Sequence, residues 1–442
     1  MHFKDRYKSR FLKFFPAIFL FLSAIYAQHY FSPVLPVGSL PVDARSLAMG
    51  GTGINNTRLQ PAFGDFGYLF RISLDLEARA TRETRSFPVI DMFDDVVTQN
   101  AYVVNRPVFY SVPWSIGTDI TKWLKLPVSL SVSQFPTWDF RYDYQEEVRA
   151  SLGSGVYNRD PVAGYHIFRM KGFIQSTNFN IALRPLAKVQ LGLNVEMLSG
   201  SDLSQEIGVH VLQADDALAA DSTTITQYDF SVGQSSRFSY GILFSPSKSL
   251  TLGVSMKSEI DVSFTTDGYV PILHERTQLP GFVLADTVSN YSIVLPSEIG
   301  FGFSARLRNK IKTQVNGHFI YSDWSQVDQV IVNASSIDTV NFQYEPAWFA
   351  HIGLEQWILN KTPFRFGFMY LGSPLGNEFE RTIITFGTGW TYHGVTLDIA
   401  AAVDGLDYQY FDLFVPEGQD ATDLEMVKES TLMVKASIMY SF

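Results

Sequence analysis

Alternation of apolar and polar residues dominates the chain from Tyr68 onward. Tyr68, Phe70, Ile72, Leu74, Leu76 and Ala78 are separated by Leu69, Arg71, Ser73, Asp75, Glu77 and Arg79. A period of two places the apolar groups on one face of a β-strand and the mostly charged groups on the other. The same period returns at Val189 to Met197, Phe238 to Phe244, Leu250 to Met256, Ile299 to Leu307, Phe364 to Tyr370, Val395 to Val403 and Leu432 to Phe442. Weaker runs lie near 105–118, 126–149, 165–184, 226–236, 311–324, 345–358 and 381–391. Together they predict roughly 14 strands in one large sheet. A soluble β-sandwich also alternates, so the period alone leaves both architectures open.

The two ends of the chain choose between them. Lys4, Arg6, Lys8, Arg10 and Lys13 precede an apolar run from Phe14 to Tyr26, interrupted only by Pro16 and Ser23, and Ala27 before Gln28 suits a signal peptidase. Residues 1–27 are therefore expected to be a cleaved signal peptide, because the run is too short to span a bilayer as a helix. At the other end the last strand finishes on Tyr440 and Phe442, an aromatic C-terminal insertion signal for the barrel-insertion machinery. The expectation is an all-β protein: a transmembrane antiparallel β-barrel in the bacterial outer membrane, with residues 67–442 as the barrel. Lipid accepts only the apolar face, so Arg71, Asp75, Glu77 and Arg79 should be lumen-facing polar residues.

Composition narrows the chemistry. The chain has no cysteine, which removes disulfides and thiolate metal sites. Charged residues are only 18% and the formal net charge is -10, more acidic still once the basic leader is removed. That balance argues against nucleic acid as a partner. It suits contact with outer-membrane lipid and lipopolysaccharide, although acidic loops are as readily plain solvated surface. The eight histidines, at 2, 29, 166, 210, 274, 318, 351 and 393, show no metal-ligand spacing, and no phosphate loop or nucleophile elbow occurs. Neither a cofactor, a metal nor a catalytic group is expected. Inward positions such as Gly253, Gly300, Gly302, Gly387, Gly389, Ala400 and Ala402 are small, which leaves lumen space for a filler or a greasy solute.

Three phrases then carry a resemblance. FSYGILFSPSKSLTLGVSMKSEI from Phe238, LPSEIGFGFSARLRNKIKTQVNGHFIYSDWSQVD from Leu295 and AWFAHIGLEQWILNKTPFRFGFMYLGSPLG from Ala347 resemble, in this order, hairpins of the FadL-like outer-membrane transporters of long-chain fatty acids and aromatic hydrocarbons. The resemblance runs from about Asp43 to Phe442 and implies a 14-stranded barrel, plugged by an N-terminal hatch over 28–66. VDARSLAMGGTG, with Asp43, Arg45, Gly50, Gly51 and Gly53, is similar to the opening of that hatch, and Gln60-Pro61-Ala62 stands where Asn-Pro-Ala is usual. Glycines there permit the left-handed backbone that a compact plug needs. An inward kink of an early strand is also implied, opening the wall sideways. Phe135, Pro136, Trp138 and Phe140 occupy the corresponding stretch, and Pro136 cannot donate to a ladder.

The function these features imply is passive uptake of a hydrophobic small-molecule ligand through the plugged lumen, with possible lateral exit. The alternative comes from the Ala-Arg-Ser-Leu-Ala-Met-Gly-Gly opening, which also resembles PorV-like barrels that dock components of a secretion system. An unspecific porin is a third option.

Overall fold

The computed structural model describes Leu35 and residues 43–442 except 94, 125, 151–159, 216–217, 219, 274–279, 285–286, 333–336, 341, 359–361 and 415–423. The expected signal peptide and most of the hatch stretch before residue 43 lie outside the described residues. Fourteen antiparallel staves close into a barrel. Stave one is β1 (Arg71–Ile90); stave two is divided into β2 (Val96–Asn105), β3 (Val108–Ser111) and β4 (Trp114–Asp119). Stave three is β5 (Val128–Asp139) with β6 (Tyr142–Arg149), followed by β7 (Val162–Leu186) and β8 (Val189–Val211). Staves six and seven are β9 (Thr224–Val232) with β10 (Ser235–Ser247) and β11 (Leu250–Lys257) with β12 (Ile260–Thr266). A hairpin of β13 (Tyr269–Leu273) and β14 (Pro280–Leu284) intervenes. Then come β15 (Ser289–Leu295) with β16 (Glu298–Arg306), β17 (Gln314–Ser322) with β18 (Gln329–Val332), and β19 (Ile337–Val340) with β20 (Ala347–Ile358). The last four staves are β21 (Thr362–Leu371), β22 (Arg381–Tyr392), β23 (Val395–Phe411) and β24 (Leu424–Ser441).

Closure is made by β1 and β24, paired continuously from Arg71↔Ser441 to Ser86↔Met426. The Phe70 and Phe442 backbones exchange hydrogen bonds of 3.1 and 3.0 Å just below, so the terminal residue seals the ring. A closed sheet satisfies every ladder group that lipid could not. Two-residue turns such as Ala187-Lys188 and His393-Gly394 lie at one end, and most connections at the other end are longer. This is the asymmetry of outer-membrane barrels, with the long loops outside.

Outward side chains near the short-turn end form an apolar belt. Ile72, Leu74 and Leu76 on β1, Phe238, Tyr240, Ile242 and Phe244 on β10, and Phe364, Phe366 and Phe368 on β21 are all exposed. The upper rim carries aromatic anchors, with the Tyr321 and Trp348 rings 4.5 Å apart. At 20 residues, β1 is about 65 Å long, more than twice the height of a lipid-facing band. The barrel therefore rises well above the membrane.

Above the belt the faces exchange roles. Staves six to ten break at one level, between β9 and β10, β11 and β12, β15 and β16, β17 and β18, and β19 and β20. Leu252, Val254 and Met256 point to lipid below the break, whereas Ile260, Val262 and Phe264 are buried inside above it. On β15, Tyr291, Ile293 and Leu295 are likewise buried, while Asn290 and Val294 face out. Water surrounds the upper wall, so its apolar side chains turn inward.

Candidate functional site

The lower bore is filled by residues 43–66. Asp43 caps the short helix α1 (Ala44–Ala48) through Ser46 N at 2.7 Å. Beyond it, Gly50 and Gly51 take φ of 68° and 65°, the left-handed turn that glycine permits. Gly53 has no such φ; its constraint is space, since a Cβ there would stand 2.5 Å from Leu59. The segment is tied to the wall all round. Ala44 N donates to Ser437 Oγ at 2.8 Å, Gly50 N to Thr385 Oγ1 at 3.0 Å and Asn180 Nδ2 to the Pro61 carbonyl at 2.9 Å. Gln60, at the position where asparagine was the expected residue, donates through Nε2 to the Val254 carbonyl at 3.2 Å.

The small inward residues have their explanation here. A Cβ on Gly353 would lie 2.2 Å from Met49 O, on Gly367 2.0 Å from Gly50 N, and on Gly192 2.1 Å from Pro61. These positions are the bed of the inner segment and not a passage for solute. Charges complete the contact. Arg45 meets Glu355 at 3.0 Å, and Arg365 bridges Glu355 and Asp398 at 2.7 and 2.6 Å. All four β1 residues assigned to the lumen point inward: Asp75 pairs with Arg58 at 3.0 Å, Glu77 with Lys435 at 2.7 Å, Arg71 with Asp65, and Arg79 with Asp139. The sheet also brings together two histidines far apart in sequence. His318 and His351 are direct cross-strand partners, and His351 Nδ1 lies 2.8 Å from the Gly50 carbonyl oxygen. Among the described residues no group of three or more potential ligands could hold a metal.

Above this floor the barrel interior holds a cluster of buried aromatic side chains, termed the chamber. Its origin is a bulge: the β5–β7 register shifts between Pro136 and Trp138. Below it Ser129, Ser131, Ser133 and Phe135 face in; above it the inward set is Trp138, Phe140, Tyr142 and Tyr144, all buried. A one-residue slip exchanges the faces, so the bulge is what brings these four rings inside. Phe135, Trp138 and Phe140 are thus interior residues. Trp138 stacks on Phe140 at 5.1 Å and meets Phe264 edge-on at 5.6 Å, and Phe264 stacks on Tyr291 at 4.6 Å. Phe282, from the β13–β14 hairpin, reaches Phe168, and Phe414, from the loop after β23, stacks on His166 at 4.6 Å. Phe282 and Phe414 thus pack against the cluster.

One buried ion pair sits among the rings. Arg85 donates from Nε to Glu83 at 2.7 Å and from Nη1 to the Phe411 carbonyl at 3.3 Å, under Tyr144 at 5.0 Å. Tyr142 OH donates to Glu83 at 2.8 Å. Nearby, in the loop after β23, burial raises the Asp412 carboxyl above its usual range, opposed by the Phe414 amide and reinforced by Glu146.

Among the described residues the wall has a seam beside Pro136. The β4–β5 ladder ends at Trp114↔Gln134, and above it, among the described residues, β3 pairs with β1 but no ladder joins it to β5 or β6. Pro113 and Pro136, neither with an N–H, stand on the two adjoining staves at this level. A side chain bridges the seam instead: Arg141 donates from Nη1 to the Tyr110 carbonyl at 2.7 Å and lies over Phe109 and Phe173 at 5.0 and 5.4 Å. Pro136 marked this place in the sequence. Pro113 and Arg141 lay among the weaker runs and were missed.

No family profile matches the sequence, and no curated protein does. Solved structures do match. The toluene transporter TbuX of Ralstonia pickettii aligns with a TM-score of 0.56 at 15% identity, over 92% of this chain and 99% of its own. A FadL homologue of Pseudomonas aeruginosa gives 0.58 at 13% identity, over 95% and 99%. The toluene transporter TodX of P. putida gives 0.58 at 12% identity, over 91% and 99%. The chain has the barrel fold of these toluene transporters and FadL homologues.

Proposed function

We propose that this protein is an outer-membrane channel for the passive uptake of hydrophobic small molecules, of the class of long-chain fatty acids or aromatic hydrocarbons. One observation carries the reading: above the lipid belt the barrel turns its apolar residues inward, so that aromatic rings line its interior. A water-filled porin needs a polar bore. In this reading residues 43–66 are the hatch that blocks water and ions. Ligand enters from the loop side, binds in the chamber by apolar burial worth about 25 cal/mol per Å², and leaves sideways through the seam beside Pro136. The resemblance of the solved structures to this chain supports the reading, since two of them are described as toluene transporters.

Uptake of labelled toluene and labelled oleate by cells with and without the protein tests it. Faster entry of at least one compound is expected, and equal rates for both would remove the proposal. A docking role of the PorV-like kind finds one supporting feature, the exposed Met92, Phe93, Val96 and Val97 at the tip of the β1–β2 hairpin. Co-purification of secretion components, lost on replacing these four residues by serine, would favour it.

A further inference from the structure

Gln205 is fully buried, yet among the described residues neither Oε1 nor Nε2 has a hydrogen-bond partner. Its place in the chamber follows from the same device seen on β5. Below the β7–β8 register shift Asn194, Glu196 and Leu198 face inward; above it, past Asp202 in the left-handed region at φ 49°, Leu203 and Gln205 do. Met170 and Tyr228 flank Gln205 as its direct cross-strand partners. A primary amide thus stands buried with both ends unsatisfied; Gln329 and Tyr344 each leave only one atom so. Leaving such groups unpaired in a buried place is costly.

We propose that Gln205 is the specificity-determining residue of the chamber and that the preferred ligand is an uncharged aromatic compound carrying a hydroxyl group. A hydroxyl donates and accepts at once, which answers the amide Oε1 and Nε2 together. A bare hydrocarbon answers neither. Charge disfavours a carboxylate at this level. Arg85 is committed to Glu83, and Glu146, Asp412 and Glu425 stand around the same pair. Lower in the bore Arg79 and Arg141 share Asp139 while Arg381 holds Asp404, so an anion would settle there and not beside Gln205. This inference rests on the chamber being a ligand site, the reading given above.

Calorimetric titration of the detergent-solubilised barrel with 4-methylphenol, toluene and 4-methylbenzoate tests it, in the wild type and in Gln205→Leu. Native folding of both is checked by heat-modifiable migration. The wild type is expected to bind 4-methylphenol at least about tenfold more tightly than toluene. In Gln205→Leu that ratio should fall to about one, with toluene held as tightly as before or better. A preference for 4-methylphenol that survives the substitution, or tightest binding of 4-methylbenzoate, would overturn the assignment while leaving a hydrophobic chamber intact. Failure of all three compounds to bind would overturn it together with the reading of the chamber as a ligand site.

Discussion

Gly353→Ala and Gly367→Ala should dislodge the inner segment from the lower bore. The added Cβ would lie 2.2 Å from Met49 O in the first and 2.0 Å from Gly50 N in the second. Ordinary contact begins at 3.4 Å, so the segment must retreat by about 1.2–1.4 Å, and both atoms it must move are backbone. Overpacking of this kind costs roughly 1–3 kcal/mol. The same retreat stretches the hydrogen bond from Gly50 N to Thr385 and that between His351 and the Gly50 carbonyl, each worth about 1 kcal/mol. The total is about 3–5 kcal/mol for either substitution. The two are not additive, because both press on the Met49-Gly50 peptide. Gly405→Ala is the control, since its nearest neighbour would be at an ordinary 3.5 Å. Planar-bilayer recordings should show a steady ion conductance for the two variants and none for the wild type or the control, and trypsin should gain access to Arg45 and Arg58. Variants as silent and as protease-resistant as the wild type would refute the assignment of residues 43–66 as a hatch.

Other expectations follow from single contacts. Arg141→Ala removes the side chain that bridges the seam, and labelled toluene uptake should rise severalfold; an unchanged rate would place the exit elsewhere. Arg365→Leu leaves Glu355 and Asp398 without their shared buried partner, which should lower stability to urea by roughly 3–5 kcal/mol. A loss below about 1 kcal/mol would show that Arg45 alone suffices for both carboxylates. Phe442→Ala keeps the backbone bonds to Phe70 but loses the ring contact at 5.5 Å. The amount of folded barrel in the outer membrane should fall severalfold on heat-modifiability gels, while the melting temperature of the refolded variant stays close to that of the wild type. Equal amounts would deny Phe442 a part in insertion.

How far the sequence revealed all this depended on how local the signal was. The alternation at Tyr68 to Arg79 identified the first stave and its four inward charges, because a strand's faces are set by its own period. The change of face above the belt was invisible. In the stretch from Leu250 to Phe264 the apolar residues keep to even positions throughout, yet Met256 faces lipid and Phe264 the chamber. The break at Ser258-Glu259 reverses the faces without disturbing the alternation. Gly253 and Gly387 read as empty lumen because the residues that occupy it, Gln60 and Ala48, come from far away in the sequence. Pro136 was legible as a break, since a missing N–H is a property of the residue itself. The seam needed the neighbouring stave, where Pro113 lies, and the contact of Arg141 from Pro136's own stave across to Tyr110.

The central claim is that the inverted upper wall encloses a place for hydrophobic ligand. Crystals of the barrel soaked in bromobenzene and measured at the bromine edge test it most directly. Anomalous density is predicted among Trp138, Phe264 and Tyr291, with a further site towards Arg141 at the seam. Bromine found only on the outer belt, with none among the interior rings, would contradict the account.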